Sequence, residues 1–155
     1  MAVSDDGSNH AASMRVLLFN ANVEPLTNQI IACAIEVHRE LGPGLLESVY
    51  QECLVDELQS ANIEVESDRF VPIMYKGRRI RGRLRLDLVV AGCVVVELKA
   101  VESLHPVYLA QVITYLKLTG CPAGLIMNFN TASLRSGLRR LDHPDLYRKR
   151  PPMGF

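Results

Sequence analysis

Glu97-Leu98-Lys99 places a carboxylate and an ammonium two residues apart in a stretch otherwise made of valine, leucine and alanine. In a β-strand, residues i and i+2 project from one face. The two charges would then stand together on an apolar strand, which is costly unless they are paired or bind something. Upstream lies Asp87, the only acid between Asp68 and Glu97. Two carboxylates converging on one face make a site for a hard divalent cation such as Mg²⁺. Such a cation could activate water and bind a phosphoryl oxygen, with Lys99 stabilising developing charge or orienting the water.

Whether Asp87 and Glu97 converge depends on the elements that carry them. Residues 83–90 alternate, with Leu84, Leu86, Leu88 and Val90 on one face and Arg83, Arg85, Asp87 and Val89 on the other. Residues 93–100 continue the sheet, with Val95, Glu97 and Lys99 sharing a face. A two-residue turn at Ala91-Gly92 would pair Asp87 with Val96 and separate the acids. A three-residue loop, Val90-Ala91-Gly92 with Gly92 left-handed, would pair Val89 with Cys93 and Asp87 with Val95. Both acids and Lys99 then share one face, and a local bulge would give the same parity. The shared face is the prediction.

Two helices offer further polar groups. Apolar spacing predicts a helix over 28–41, capped by Thr27, and a second over 46–60 after Gly42-Pro43-Gly44. Glu47 and Tyr50 stand at i,i+3 on the second. Gln111 and Tyr115 stand at i,i+4 on a third, predicted over 106–118 with Pro106 in its first turn. Each pair also reads as a surface polar residue beside a core tyrosine. Strands are predicted over 70–75 and 123–129, with a weak one over 63–66. The order helix, helix, three strands, helix, strand implies a mixed sheet covered by helices.

The 155 residues suit one domain, and 48% apolar content supports a core. Residues 1–24 read as a flexible leader without an apolar signal region, 25–141 as the folded domain and 142–155 as a polar tail. No apolar run reaches the ~20 residues of a membrane span, so a cytoplasmic protein without a membrane partner is expected. Cys33, Cys53, Cys93 and Cys121 form no CxxC pair, which excludes common zinc spacings and favours free thiols. Net charge is zero, yet Lys76-Gly-Arg-Arg-Ile-Arg-Gly-Arg-Leu-Arg85 holds six cations and no acid. Such a zone reads either as a solvated hairpin or as a track for phosphates.

The ordered motifs resemble those of the GxxExxY proteins, a small family placed in the PD-(D/E)xK nuclease superfamily. They are GLLESVY from Gly44 to Tyr50 within IEVHRELGPGLLESVY, then RLDLVV, VELKAVE, AQVITYL and GLIMNF. The resemblance covers about residues 29–130. It implies an α/β restriction-endonuclease-like core of order α-β-β-β-α-β. It also implies Asp87 and Glu97 as metal ligands, Lys99 as the catalytic lysine and Glu47 as a further ligand, with Mg²⁺ or Mn²⁺ as cofactor. Gln111 and Tyr115 resemble the QxxxY motif of the RecB-like branch, which shapes the site and contacts DNA. Tyr50, His38, Arg83 and Arg85 are further candidates for shaping the site or binding nucleic acid, though His38 reads equally as a helix-surface or capping residue. Leu86 stands in place of the motif proline, and Tyr108 and Thr114 stand where relatives carry His and Asn. The implied activity is metal-dependent hydrolysis of DNA phosphodiesters, with RNA left open and a homodimer compatible with it. The alternative is a nuclease-like fold that binds nucleic acid or protein without turnover.

Overall fold

Apolar side chains at helical spacing seat two helices on one face of a sheet. The computed structural model describes residues 7–146, with side chains from residue 22 onward. Helix α1 spans Gly7–Leu41 and buries Val23, Ile30, Ala34 and Val37. Helix α2 spans Glu47–Ser60 and buries Tyr50, Leu54 and Leu58, one residue per turn. All of these but Val23 pack on Leu88, Val90, Val94, Val96, Leu98, Leu125 and Met127 of the sheet. No helix among the described residues is long and apolar enough to cross a membrane.

The sheet has strands β1 (Val65–Tyr75), β2 (Arg78–Val90), β3 (Val94–Lys99), β4 (Ala123–Asn128) and β5 (Leu138–Asp142), side by side in chain order. Only β3 and β4 run parallel, and helix α3 (Pro106–Thr119) makes the crossover between them. His105 Nδ1 accepts the Val107 N–H at the start of α3, and left-handed Gly120 ends it. Val112, Tyr115 and Leu116 of α3 pack on the opposite face, against Val89, Val95 and Ile126. Both faces of β3 and β4 are therefore covered, which explains their near-continuous apolar runs. The result is a mixed five-stranded sheet flanked by helices, a restriction-endonuclease-like α/β fold.

Three features differ from the sequence reading. The helix expected from residue 28 begins upstream at Gly7. Thr27 lies inside it, donating its hydroxyl to the Glu24 carbonyl at 2.9 Å instead of capping. Of the leader read over 1–24, residues 7–24 are thus helical, and 1–6 lie outside the described residues. Secondly, β1 joins the two short strand signals at 63–66 and 70–75, and β2 starts at Arg78, well before residue 83. Thirdly, the end of the folded domain, where no strand is predicted, supplies β5, an edge strand whose Arg139 and Arg140 are suited to a sheet edge and whose last residue, Asp142, opens the polar tail. Residues 147–155 of that tail lie outside the described residues.

Candidate active site

The turn between β2 and β3 decides where the acids stand. Ala91 and Gly92 both have positive φ, 49° and 64°, and Cys93 N–H donates to the Val90 carbonyl at 2.9 Å. This is the geometry of a two-residue hairpin turn. Alone it would send Asp87 and Glu97 to opposite faces. Cys93 is an extra residue, however, and pairing resumes as Val90 with Val94, Val89 with Val95 and Leu88 with Val96. The extra residue restores the parity. It also shifts the register from the one expected, so Asp87 stands level with Glu97 rather than with Val95.

Pairing stops at Leu88–Val96. Beyond it, Asp87 Oδ2 accepts the Leu98 N–H at 2.9 Å. A carboxylate thus replaces a strand carbonyl, and β2 and β3 are held together by the side chain that would do chemistry. The β1 side is irregular at the same level. Asp68 takes a left-handed φ of 53°, and the ladder skips Asp68–Asp87 between Ser67–Leu88 and Arg69–Leu86. Across this step β2 changes sides. Leu88 and Val90 pack under α1 and α2, whereas Leu86 and Leu84 pack under α3. The single leucine face predicted over 84–90 is therefore corrected. A left-handed residue breaks the pleat of β1, and its partner strand follows.

Asp87 and Glu97 are 7% and 6% exposed, the most buried acids among the described residues. Burial, reinforced by the neighbouring Asp87 carboxylate and by Glu47, pushes the Glu97 pKa up to about 7, against the opposing pull of Lys99. Burial likewise raises the Asp87 pKa, while the Leu98 N–H and Lys99 hold it down. Lys99 Nζ lies 3.2 Å from Glu97 Oε1 and 4.6 Å from the centre of the Tyr108 ring. Glu97 Oε2 is buried and has no hydrogen-bond partner among the described residues.

Glu47 reaches the same place from the first turn of α2, where its Oε2 accepts the Ala100 N–H at 3.3 Å. A cleft of about 740 Å³ opens beside it, lined by Glu47, Gln51, Asp68, Arg85, Asp87 and Ala100 among others. Arg85 borders this cleft, with Nε 3.7 Å from Asp68. Tyr115 is buried on α3, and its phenol pKa is raised by burial and then by Glu97 and Asp87. Gln111 is exposed on α3, and its side chain makes no hydrogen bond among the described residues.

Two predicted residues, Tyr50 and His38, make their hydrogen bonds to loops and not to the carboxylates. Tyr50 is fully buried, stacked on Phe129 at 4.4 Å, so it cannot touch nucleic acid. Its hydroxyl donates to the Gly42 carbonyl at 2.5 Å and accepts the Leu45 N–H at 3.1 Å. It clamps the loop that launches α2 and so positions Glu47. The His38 ring meets the Thr131 carbonyl through Nε2 at 2.8 Å, tying α1 to the loop after β4. Arg83 lies outward on β2, its guanidinium 4.1 Å over the Phe70 ring.

Three residues at the site escape the sequence reading. Gln51 donates to the Asp87 carbonyl at 3.3 Å and to Asp68 Oδ1 at 3.2 Å. Its spacing of four from Glu47 is an available signal. Asn128, beside Lys99 in register, accepts the Val101 N–H at 3.0 Å and donates to its carbonyl at 2.9 Å, which pins the loop after β3. Tyr108, which the sequence marks only as a departure from the motif, supplies the ring beneath Lys99.

The donor chemistry suits a hard divalent cation. Hydrogen bonds engage Asp87 Oδ2, Glu97 Oε1 and Glu47 Oε2, leaving the other oxygen of each carboxylate without one among the described residues. Among the described residues no three acid, histidine or cysteine side chains are already gathered around one cation position. Closure of Glu47 on the two strand acids would complete the set, and the unpartnered Glu97 Oε2 is where a cation relieves the largest penalty. The four cysteines are free thiols.

A family model for the PD-(D/E)XK nuclease superfamily matches residues 24–141. Comparison with curated proteins and with solved structures returned no significant match.

Proposed function

The chain belongs to the PD-(D/E)XK nuclease superfamily, and on that premise we propose that it hydrolyses phosphodiester bonds of DNA with Mg²⁺ or Mn²⁺ as cofactor. Nucleases of this superfamily generally use divalent metal ions and act on nucleic acid. The finer assignment to the GxxExxY proteins, within the RecB-like branch, rests on the motifs around Glu47, Tyr50, Gln111 and Tyr115.

In this reading Asp87, Glu97 and Glu47 would hold the cation, whose chemistry would be to polarise a phosphoryl oxygen and acidify water. Asp87 keeps one oxygen on the Leu98 amide, which fixes the other in direction. A cation held by Glu97 would supply the counter-charge that Lys99 now supplies, and Lys99 would then be free to leave that ion pair. Its ammonium, steadied over Tyr108, then lies against the phosphoryl oxygens that gain charge in the transition state. Water oxygen bonds to phosphorus and gives up a proton to solvent, the bond to the sugar oxygen breaks, and that oxygen leaves with the electron pair and takes a proton from solvent to become a hydroxyl. Arg85 borders the cleft, where it meets a neighbouring phosphate.

One observation carries the proposal: a buried carboxylate oxygen, Glu97 Oε2, with no hydrogen-bond partner among the described residues, beside a second buried acid and an ammonium. Apolar strands do not retain such a group for stability.

The test is cleavage of labelled single- and double-stranded DNA and RNA with Mg²⁺ or Mn²⁺, run beside Lys99→Ala and Asp87→Asn. Asparagine can still accept the Leu98 N–H, so the second variant changes charge without uncapping β3. Both variants should lose about 10²–10³-fold or more in rate, as for removal of a main electrostatic contact. Absence of cleavage on every substrate by a wild type that binds metal would leave the non-catalytic binding module instead.

A further inference from the structure

Beyond Val71 and Leu84 the β1–β2 hairpin loses its covering layers. Strand β3 pairs only with Leu88, Val89 and Val90 of β2, so residues 72–83 form a two-stranded ribbon. They are exposed on both faces apart from the half-buried Ile73. The register shifts between Pro72 and Met74, and Lys76-Gly77, with φ of 49° and 74°, turns the ribbon back.

Residues 69–86 hold seven cations and no acid. Arg69 pairs with Glu66 at 3.5 Å and Arg85 with Asp68 at 3.7 Å. Lys76, Arg78, Arg79, Arg81 and Arg83 have no carboxylate partner among the described residues. Phe70 and Tyr75 stand among them at 51% and 57% exposure. Five unpaired cations on a thin ribbon repel one another, and what offsets that repulsion is a polyanion.

The arm is continuous with the carboxylate centre. Arg83 and Arg85 precede Asp87 at two-residue steps, each about 7 Å along the strand. A backbone with one phosphate at the cleft therefore meets cations along the strand that carries Asp87.

The geometry points to the arm as a grip on duplex DNA, a ribbon that enters the major groove while the adjoining backbone passes the carboxylate centre. The B-form major groove, about 12 Å wide, admits a two-stranded β-ribbon. The major groove of A-form RNA is deep and narrow and excludes one. Single strands are usually tracked by a basic groove, whereas this element is a projection. The inference rests on the nuclease reading for where the substrate lies, and deepens it by naming the duplex form of that DNA and the element that grips it.

The test is a titration of the intact protein, in EDTA, against fluorescein-labelled duplex DNA, duplex RNA and single-stranded DNA across a salt series. Duplex DNA should bind tightest. The variant Arg79→Ala/Arg81→Ala/Arg83→Ala should lower the slope of log K against log salt by about 0.9 for each phosphate it no longer neutralises. At about 0.1 M salt it should weaken binding on the order of a hundredfold. Its Mn²⁺ affinity should match wild type, and its melting should fall only by the small amount expected from losing the Arg83–Phe70 stacking. Unchanged affinity and slope in the variant, tighter binding of RNA or of a single strand, or no binding by wild type would overturn the inference. Mn²⁺ affinity abolished in Asp87→Asn reports the carboxylate centre separately. Metal binding without duplex binding sinks the arm alone, and arm-dependent duplex binding without metal binding sinks the nuclease reading.

Discussion

Strand β2 runs through two environments. From Leu86 to Val90 every residue is buried, and from Arg78 to Arg83 every residue is exposed. The inner half carries a single charge, Asp87, and the outer part, from Arg78 to Arg85, carries five arginines. Asp87 is held by a strand amide and by its neighbours, so its position is over-determined. The arginines face water, and their positions are set by the backbone alone. The contrast separates what could perform chemistry from what could hold a substrate. It also predicts that stability responds to change in the inner region and hardly in the outer one.

The largest effect should come from Glu97, across the sheet from Asp87. In the metal-free protein its pKa is about 7 against an ordinary 4.5. A carboxyl with a raised folded pKa binds more protons folded than unfolded between those values. Its stabilising contribution is therefore complete below about pH 4.5 and is lost as pH rises through 7. A shift of that size amounts to on the order of 3 kcal/mol at the upper limit. Urea unfolding in EDTA should show wild-type stability falling from pH 5 to pH 8. Glu97→Gln should flatten that fall and exceed wild type at pH 8, while losing the stabilisation that added Mn²⁺ gives wild type. A wild-type profile that does not fall would mean the inner region holds its charge without strain.

A smaller loss is expected at Gly124, on the strand beneath α3. A Cβ there would lie 2.6 Å from Val112 Cγ1 and 3.4 Å from Leu116 Cδ2. Val112 is β-branched on a helix, so its rotamer has little room to change. Gly124→Ala should cost about 1–3 kcal/mol by overpacking. Because α3 carries Tyr108 and Tyr115, cleavage should fall with stability. Unaltered melting would show that α3 can ride outward, and that the inner region is less rigid than its burial implies.

The sequence reading and the structure agree where one physical rule dominates. Apolar spacing places α2, β3, α3 and β4, because each buries a complete stripe or run. Parity brings Asp87 and Glu97 together, because the three residues between the paired Val90 and Val94 keep the two strands in the same alternation. The rule fails where backbone conformation intervenes. Nothing in the residue types signals that Asp68 is left-handed, so the change of face between Leu86 and Leu88 is hidden. Nor does the pattern show that Cys93, rather than Val90, is the extra residue of the loop. Tyr50 departs for a different reason. Its spacing from Glu47 is right for a shared site, but the fold directs its hydroxyl to the Gly42 carbonyl. Gln51, one turn beyond Glu47, is legible in the spacing but masked, because a helix-surface glutamine is common.

The smallest effect should come from the arm, and its smallness matters to the comparison. Arg79 and Arg81 touch no carboxylate among the described residues and cover no core. Arg79→Ala/Arg81→Ala should shift unfolding by no more than about 0.5 kcal/mol, as for surface changes generally. Arg83 stacks on Phe70, and its removal should cost slightly more, about 0.5–1 kcal/mol. Urea midpoints with unchanged m-values would measure both. A loss well above 1 kcal/mol from the Arg79 and Arg81 pair would make the ribbon part of the fold's own support, and its charge would then need no ligand to explain it. Unchanged folding beside a large effect on the salt dependence of DNA binding would leave the arm one role, that of contacting a partner the folded chain does not itself contain.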